Sequence, residues 1–176
     1  MEKGEILINT ENIFPIIKKA VYSDHEIFLR ELVSNSVDAI SKRRMASIAG
    51  DCEDSVKPQV NISVDRENNV LKISDNGIGM SDKEIKKYIN QVAFSSAEEF
   101  LEKYKKGEDE FIGHFGLGFY SSFMVASKVE IITKSAVNDD KSFKWSCDGS
   151  PNFTLEDSER ETIGTDVILH LLEEEK

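Results

Sequence analysis

Cysteine is scarce in this 176-residue chain: only Cys52 and Cys147 are present, far apart and without a neighbouring cysteine or histidine at ligand spacing. That excludes a disulfide framework and argues against a structural zinc site, and the three dispersed histidines, His25, His114 and His170, do not supply one. The two thiols read as reduced, small apolar residues of a cytoplasmic protein. Long apolar runs are also missing. No stretch approaches the roughly 20 residues of a membrane span, so no membrane association is expected. The charged start, Met1-Glu2-Lys3-Gly4-Glu5, lacks a following apolar signal region, so export is not expected either. Basic residues are in deficit, 22 against 33 acidic ones, for a net charge of −11. A surface of that sign repels phosphate backbones and disfavours non-specific nucleic-acid binding. What remains is ample for folding. Hydrophobic residues make up 39% and aromatics 9%, enough for one packed domain of residues 1–176 and too much for wholesale disorder.

Local patterns place the elements. Ile6, Leu7 and Ile8 suggest a first strand between Met1 and Thr10, and Asn12 caps a short helix that tolerates Pro15 in its first turn. Asp24 caps a longer helix from about His25 to Ala49, ended by Gly50. Val60, Ile62 and Val64, then Leu71 and Ile73, alternate with polar residues and predict a strand pair. Ser81–Glu84 and Ser96–Glu99 each carry a capping-box pattern, so a helix should start at both places. A short helix over Ser121–Ala126 precedes strands at Val129–Lys134, Phe143–Cys147, Phe153–Leu155 and Thr165–Leu171. Helices gather early and strands late. The expected fold is α+β: a two-layer sandwich in which a mixed, mostly antiparallel sheet of about seven or eight strands carries helices on one face.

Chemistry can reside in two glycine-rich loops, Asp75-Asn76-Gly77-Ile78-Gly79-Met80 and Gly113–Phe119. Glycine lets backbone N–H groups approach a ligand closely, and such loops can cradle anions, although tight turns are an equally open reading. In the second loop Phe119 stands where a P-loop needs lysine, and the first is not a dinucleotide fingerprint. Asp75 shares strand parity with Leu71 and Ile73, which aims a carboxylate at the apolar side. Its partner is either a backbone N–H of the following turn or a ligand amine such as the 6-amino group of adenine. Thr165 shares parity with Val167, Leu169 and Leu171 and poses the same question. On the long helix, Glu31, Asn35 and Asp38 fall on one side, while Phe28, Leu29, Leu32 and Ile40 occupy much of the rest. That side is either a solvent face or a set of oxygens suited to a hard cation and an activated water.

The order of these pieces is itself informative. The run Glu31-Leu32-Val33-Ser34-Asn35-Ser36-Val37-Asp38-Ala39, then Asp75–Met80, then Gly113–Phe119, then Ile163-Gly164-Thr165, resembles the GHKL ATP-binding fold of type II topoisomerases, MutL, histidine kinases and the ninety-kilodalton heat-shock chaperones. Tyr22–Leu32 and Phe115–Ser121 are similar to the chaperone branch, in its bacterial form.

The resemblance implies a magnesium-dependent ATPase that binds ATP or ADP with Mg2+ and is very slow as an isolated domain. In that reading Asp75 accepts from the adenine 6-amino group, Thr165 and Gly79 support the ring through water, and Met80 and Ala39 line the base pocket. Asp38 belongs to the same nucleotide site. Asn35 is the magnesium ligand, Glu31 activates the attacking water, and the backbone of Gly116, Leu117, Gly118 and Phe119 holds the phosphates. Residues 91–111 would form a lid whose closure, with homodimer clamping, acts on client proteins. Co-chaperones and ATP-competitive natural-product inhibitors are further partners implied by the family. The lid departs from the family: the usual Ala-Lys-Ser-Gly-Thr is Ala93-Phe94-Ser95-Ser96-Ala97, and Tyr88 and Asn90 replace asparagine and glycine. The family's middle and C-terminal domains are absent, so an excised N-terminal domain is expected. Two other readings stay open: a gyrase-like enzyme of the same fold, against which the acidic charge counts, and a nucleotide-free interaction module.

Overall fold

In the computed structural model, which describes residues 1–5, 26–53, 55–89, 118–138, 141–150 and 152–173, period-two sequences assemble one sheet. Its strands are β1 (Glu2–Glu5), β2 (Val60–Asp65), β3 (Val70–Asp75), β4 (Ala126–Lys134), β5 (Ser142–Cys147), β6 (Asn152–Ser158) and β7 (Gly164–Leu171). The seven strands lie in the order β1-β6-β5-β4-β7-β3-β2. Every pairing among the described residues is antiparallel, and none of the parallel pairing of a mixed sheet is seen among them. The last strand, β7, lies between β3 and β4, and this crossover sets Thr165 directly beside Asp75.

The alternation sorts the faces. Leu71 and Ile73 of β3, Val129 and Ile131 of β4, and Phe143, Trp145 and Cys147 of β5 are buried. They pack against Leu32, Ile85, Phe119 and Phe123 from the helical layer, and Trp145 meets Phe119 edge-on at 5.6 Å. β2 is the exception. Val60, Ile62 and Val64 alternate as expected, yet Ile62 is 49% and Val64 60% exposed on this edge strand.

The long helix, α1, spans Ile27–Ile48. Gly50 (φ +84°) ends it: the Gly50 N–H reaches the Ser47 carbonyl and the Asp51 N–H the Ala46 carbonyl, each at 2.9 Å. This is the glycine-dependent reversal anticipated there. The anticipated cap Asp24 lies outside the described residues, and the observed cap position, Glu26, makes no side-chain capping bond. The capping box at Ser81 forms, its N–H donating to Glu84 Oε2 at 2.7 Å. It opens α2 (Asp82–Glu84), which widens into π-helical Ile85–Ile89. The helix expected over Ser121–Ala126 is instead a 3₁₀ turn, Phe119–Met124, and Ala126 already belongs to β4. The reason is local: the Val125 N–H bonds the Ser122 carbonyl at 3.2 Å and β4 begins at Ala126, so the segment is too short for more than tight i→i+3 turns. The Asn12 helix, the strand residues Ile6–Ile8 and the Ser96 helix lie outside the described residues.

Candidate functional site

Asp75 ends β3 on the buried face, 6% exposed. Its Oδ1 accepts the Gly77 N–H at 2.8 Å, the turn partner that the sequence allows. That bond is only part of the carboxylate's surroundings. The Ser36 hydroxyl of α1 and the Thr165 backbone also hydrogen-bond to it, and Arg160 contributes positive charge. Burial outweighs all of them and pushes the carboxyl up to about 6. An ionised group held against such desolvation gains from every further donor brought to it.

The loop that follows is pinned from both sides. The Ile78 N–H donates to the Ala39 carbonyl at 2.9 Å, and the Ala136 N–H donates to the Ile78 carbonyl at 2.8 Å. A Cβ on Gly77 would lie 2.5 Å from the Ala39 carbonyl carbon, and one on Gly79 (φ +66°) 1.9 Å from the Lys134 carbonyl oxygen. These glycines therefore serve close packing. The Asn76, Gly77, Ile78 and Met80 N–H groups are all engaged within the protein, so the anion-cradle reading of this loop is corrected.

Helix α1 supplies the opposite wall. Glu31 is half-buried, and a Cβ on Gly118 would fall 2.2 Å from its Oε2. The carboxylate thus lies in the space that this glycine leaves. Asn35 is exposed, and Asp38 is buried at 9% exposure, which overturns a continuous solvent face. Burial lowers the pKa of Lys42 against the opposing influence of Asp38 and Glu84. Among the described residues no group of three or more histidine, cysteine or acidic side chains could hold a metal by itself.

Thr165, 7% exposed, pairs in register with Asp75 on one side and Thr133 on the other. The Thr133 and Thr165 hydroxyls are 2.9 Å apart, and Thr133 Oγ1 also accepts the Met80 N–H at 3.0 Å. Gly164 (φ +126°) lets β7 approach, since a Cβ there would meet the Asp75 carbonyl oxygen at 2.1 Å. Met80 is half-buried against the core. Phe119 buries its ring in the core and begins the 3₁₀ turn.

The structure therefore joins Asp75, Ala39, Gly79, Met80 and Thr165 around one corner of the sheet and places Glu31 at Gly118. Gly116, Leu117 and the 91–111 segment lie outside the described residues. Two participants escaped the sequence reading. Ser36 looked like a small residue of the apolar side, and Thr133 was one more strand position, although its parity with Val129 and Ile131 marks it as inward.

A profile of the family described as "Histidine kinase-, DNA gyrase B-, and HSP90-like ATPase" matches residues 22–162. The chain is 52% identical to "Chaperone protein HtpG" of Porphyromonas gingivalis over 98% of its own length and 25% of that protein's. It is 55% identical to the protein of that name from Bacteroides thetaiotaomicron over 97% of this chain and 25% of that protein. The one from Natranaerobius thermophilus is 41% identical over 98% of this chain and 28% of that protein. The chain thus spans about a quarter of the length of these relatives.

Proposed function

Because the chain belongs to the histidine kinase-, DNA gyrase B- and HSP90-like ATPase family, we propose that residues 1–176 form the N-terminal ATP-binding domain of a cytoplasmic chaperone. One observation carries this reading: α1 touches the Asp75 end of β3, the loop that follows it, and Gly118. Ser36 bonds Asp75, Ala39 holds Ile78, and Glu31 fills the space at Gly118. Asp75 then accepts from the adenine 6-amino group, with Thr165 and Gly79 beside it, and Ala39 and Met80 flank the ring. Asp38 keeps the α1 side of that pocket polar, and the backbone of Gly116, Leu117, Gly118 and Phe119 receives the phosphates.

A hard cation prefers oxygen ligands and usually shares them with substrate phosphates and water. Asn35, an exposed amide one residue before Ser36, fits as a single protein ligand of magnesium that enters with the nucleotide. Bound there, magnesium would offset phosphate charge. Glu31 would orient the attacking water and take its proton. Hydrolysis by this domain alone should be very slow, since an arginine supplied from outside can be worth about 10³–10⁵ in phosphoryl transfer.

Segment 91–111 would act as the lid, and middle and C-terminal domains would add homodimer clamping on client proteins, with co-chaperones as further partners. ATP-competitive natural products would use the adenine corner. No helix among the described residues is long and apolar enough to cross a membrane. Calorimetric titration of the domain with ADP and magnesium tests the proposal: saturable one-to-one binding is expected, and no heat at millimolar nucleotide would refute it.

A further inference from the structure

Thr133 is fully buried in β4, and its one hydroxyl serves three neighbours, two of them of fixed character. The Met80 N–H, 3.0 Å away, can only donate. The Gly164 carbonyl oxygen, 3.1 Å away, can only accept. Thr165 Oγ1, at 2.9 Å, can do either. A hydroxyl has one proton and two acceptor sites. With one lone pair taken by the Met80 N–H and the proton given to the Gly164 carbonyl, the arrangement on which the inference rests, the remaining lone pair takes the Thr165 proton. Thr165 Oγ1 is left with its own lone pairs as its free hydrogen-bonding capacity.

We infer that Thr133 is a positioning residue for nucleobase specificity, which deepens the adenine-site reading above and rests on it. By fixing the direction of the Thr165 hydroxyl, Thr133 sets a second acceptor beside the Asp75 carboxylate, its register neighbour on β3. Two adjacent acceptors favour a ligand edge that presents N–H donors, directly or through a water. They disfavour a 6-oxo purine, whose carbonyl would meet lone pairs. A buried threonine bonded only for stability would fix no such polarity.

Binding of ADP and of inosine diphosphate, each with magnesium, is measured for wild type, Thr133→Val, Thr133→Ser, Thr165→Val and the double valine variant. Thermal unfolding of each variant is followed in parallel. Thr133→Val should weaken ADP about tenfold and shrink the preference for ADP over inosine diphosphate by a similar factor. Thr133→Ser should restore both. In the Thr165→Val background the Thr133→Val change should alter ADP affinity less than twofold, because its effect passes through Thr165. Should Thr133→Val not fold, Thr133→Ala takes its place in the cycle. Independent, additive losses at the two positions, or an unchanged nucleotide preference, would overturn the assignment while leaving the adenine site standing. Wild type that binds no ADP would overturn the site itself.

Discussion

Replacing Asp75 with Asn should make the empty protein more stable and the nucleotide complex weaker. Burial raises the carboxyl from 3.8 to about 6. At 1.36 kcal/mol per pKa unit, the ionised form at neutral pH carries a destabilisation of up to about 3 kcal/mol. The sign follows from linkage. The folded-state value lies above the unfolded one, so the unfolded chain ionises first as pH rises. Stability is full below about pH 4, declines until about pH 6, and stays lowered above it. Asparagine is uncharged and approximately isosteric. Its oxygen can keep the Gly77 N–H, and its amide can donate to the Ser36 hydroxyl. Urea unfolding should therefore show a gain of about 1–3 kcal/mol at pH 7 and little or none at pH 4. Binding moves the other way. The variant presents a donor where adenine presents one, and ADP affinity should fall by about 1.5–3 kcal/mol, roughly ten- to a hundredfold. A variant destabilised equally at both pH values would show that the carboxylate's hydrogen bonds outweigh its burial. Unchanged ADP affinity would remove Asp75 from the adenine contact.

Acidification of the wild type should weaken ADP binding by up to about tenfold per pH unit below pH 6, as the Asp75 acceptor is protonated, and calorimetry across pH 5–7 reads it. Glu31→Ala in the full-length protein should leave ADP affinity nearly intact and cut ATP turnover roughly 10²–10⁴-fold, followed by phosphate release. Gly118→Ala should fold, because its φ of −59° suits alanine and the clash is with the flexible end of Glu31. Its turnover should fall at least about tenfold while its melting temperature holds, since a displaced base works poorly. Gly79→Ala combines a positive φ with a backbone clash and should lose about 3 kcal/mol or more in urea unfolding.

Much of this site is legible from strand parity alone. Counting by twos from Leu71 through Ile73 puts Asp75 inside, and counting back from Leu169 does the same for Thr165; both are buried. The same count from Val129 through Ile131 reaches Thr133, yet nothing in its neighbourhood gives a threonine meaning until β7 is known to lie alongside. Strand order carries that information, and order depends on long-range pairing that local patterns do not encode. Ser36 escaped for a related reason: a small polar residue on the apolar side of a helix becomes informative only once a buried carboxylate is seen opposite it. The 3₁₀ winding of Phe119–Met124 was hidden because the aromatics Phe119, Tyr120 and Phe123 suit either helical period over so short a segment.

In the proposed site the two glycine-rich loops would do different work, with α1 setting the spacing between them. In the first loop the Gly77, Ile78 and Met80 N–H groups turn inward to Asp75, Ala39 and Thr133, which suits the proposed base pocket and leaves little for phosphate. The second ends at Gly118, against Glu31. Ala39 and Glu31 are eight residues apart on one helix, about 12 Å at 1.5 Å per residue. An extended nucleoside triphosphate spans a distance of that order from its amino group to its last phosphate. In the proposed site the helix would thus space a base-reading end from a reacting end. Ligands that stop at the ribose should therefore respond to Asp75→Asn and ignore Gly118→Ala. Adenosine binding to both variants in the presence of magnesium checks this, and an adenosine affinity that collapses with Gly118→Ala would mean the two ends are not separate.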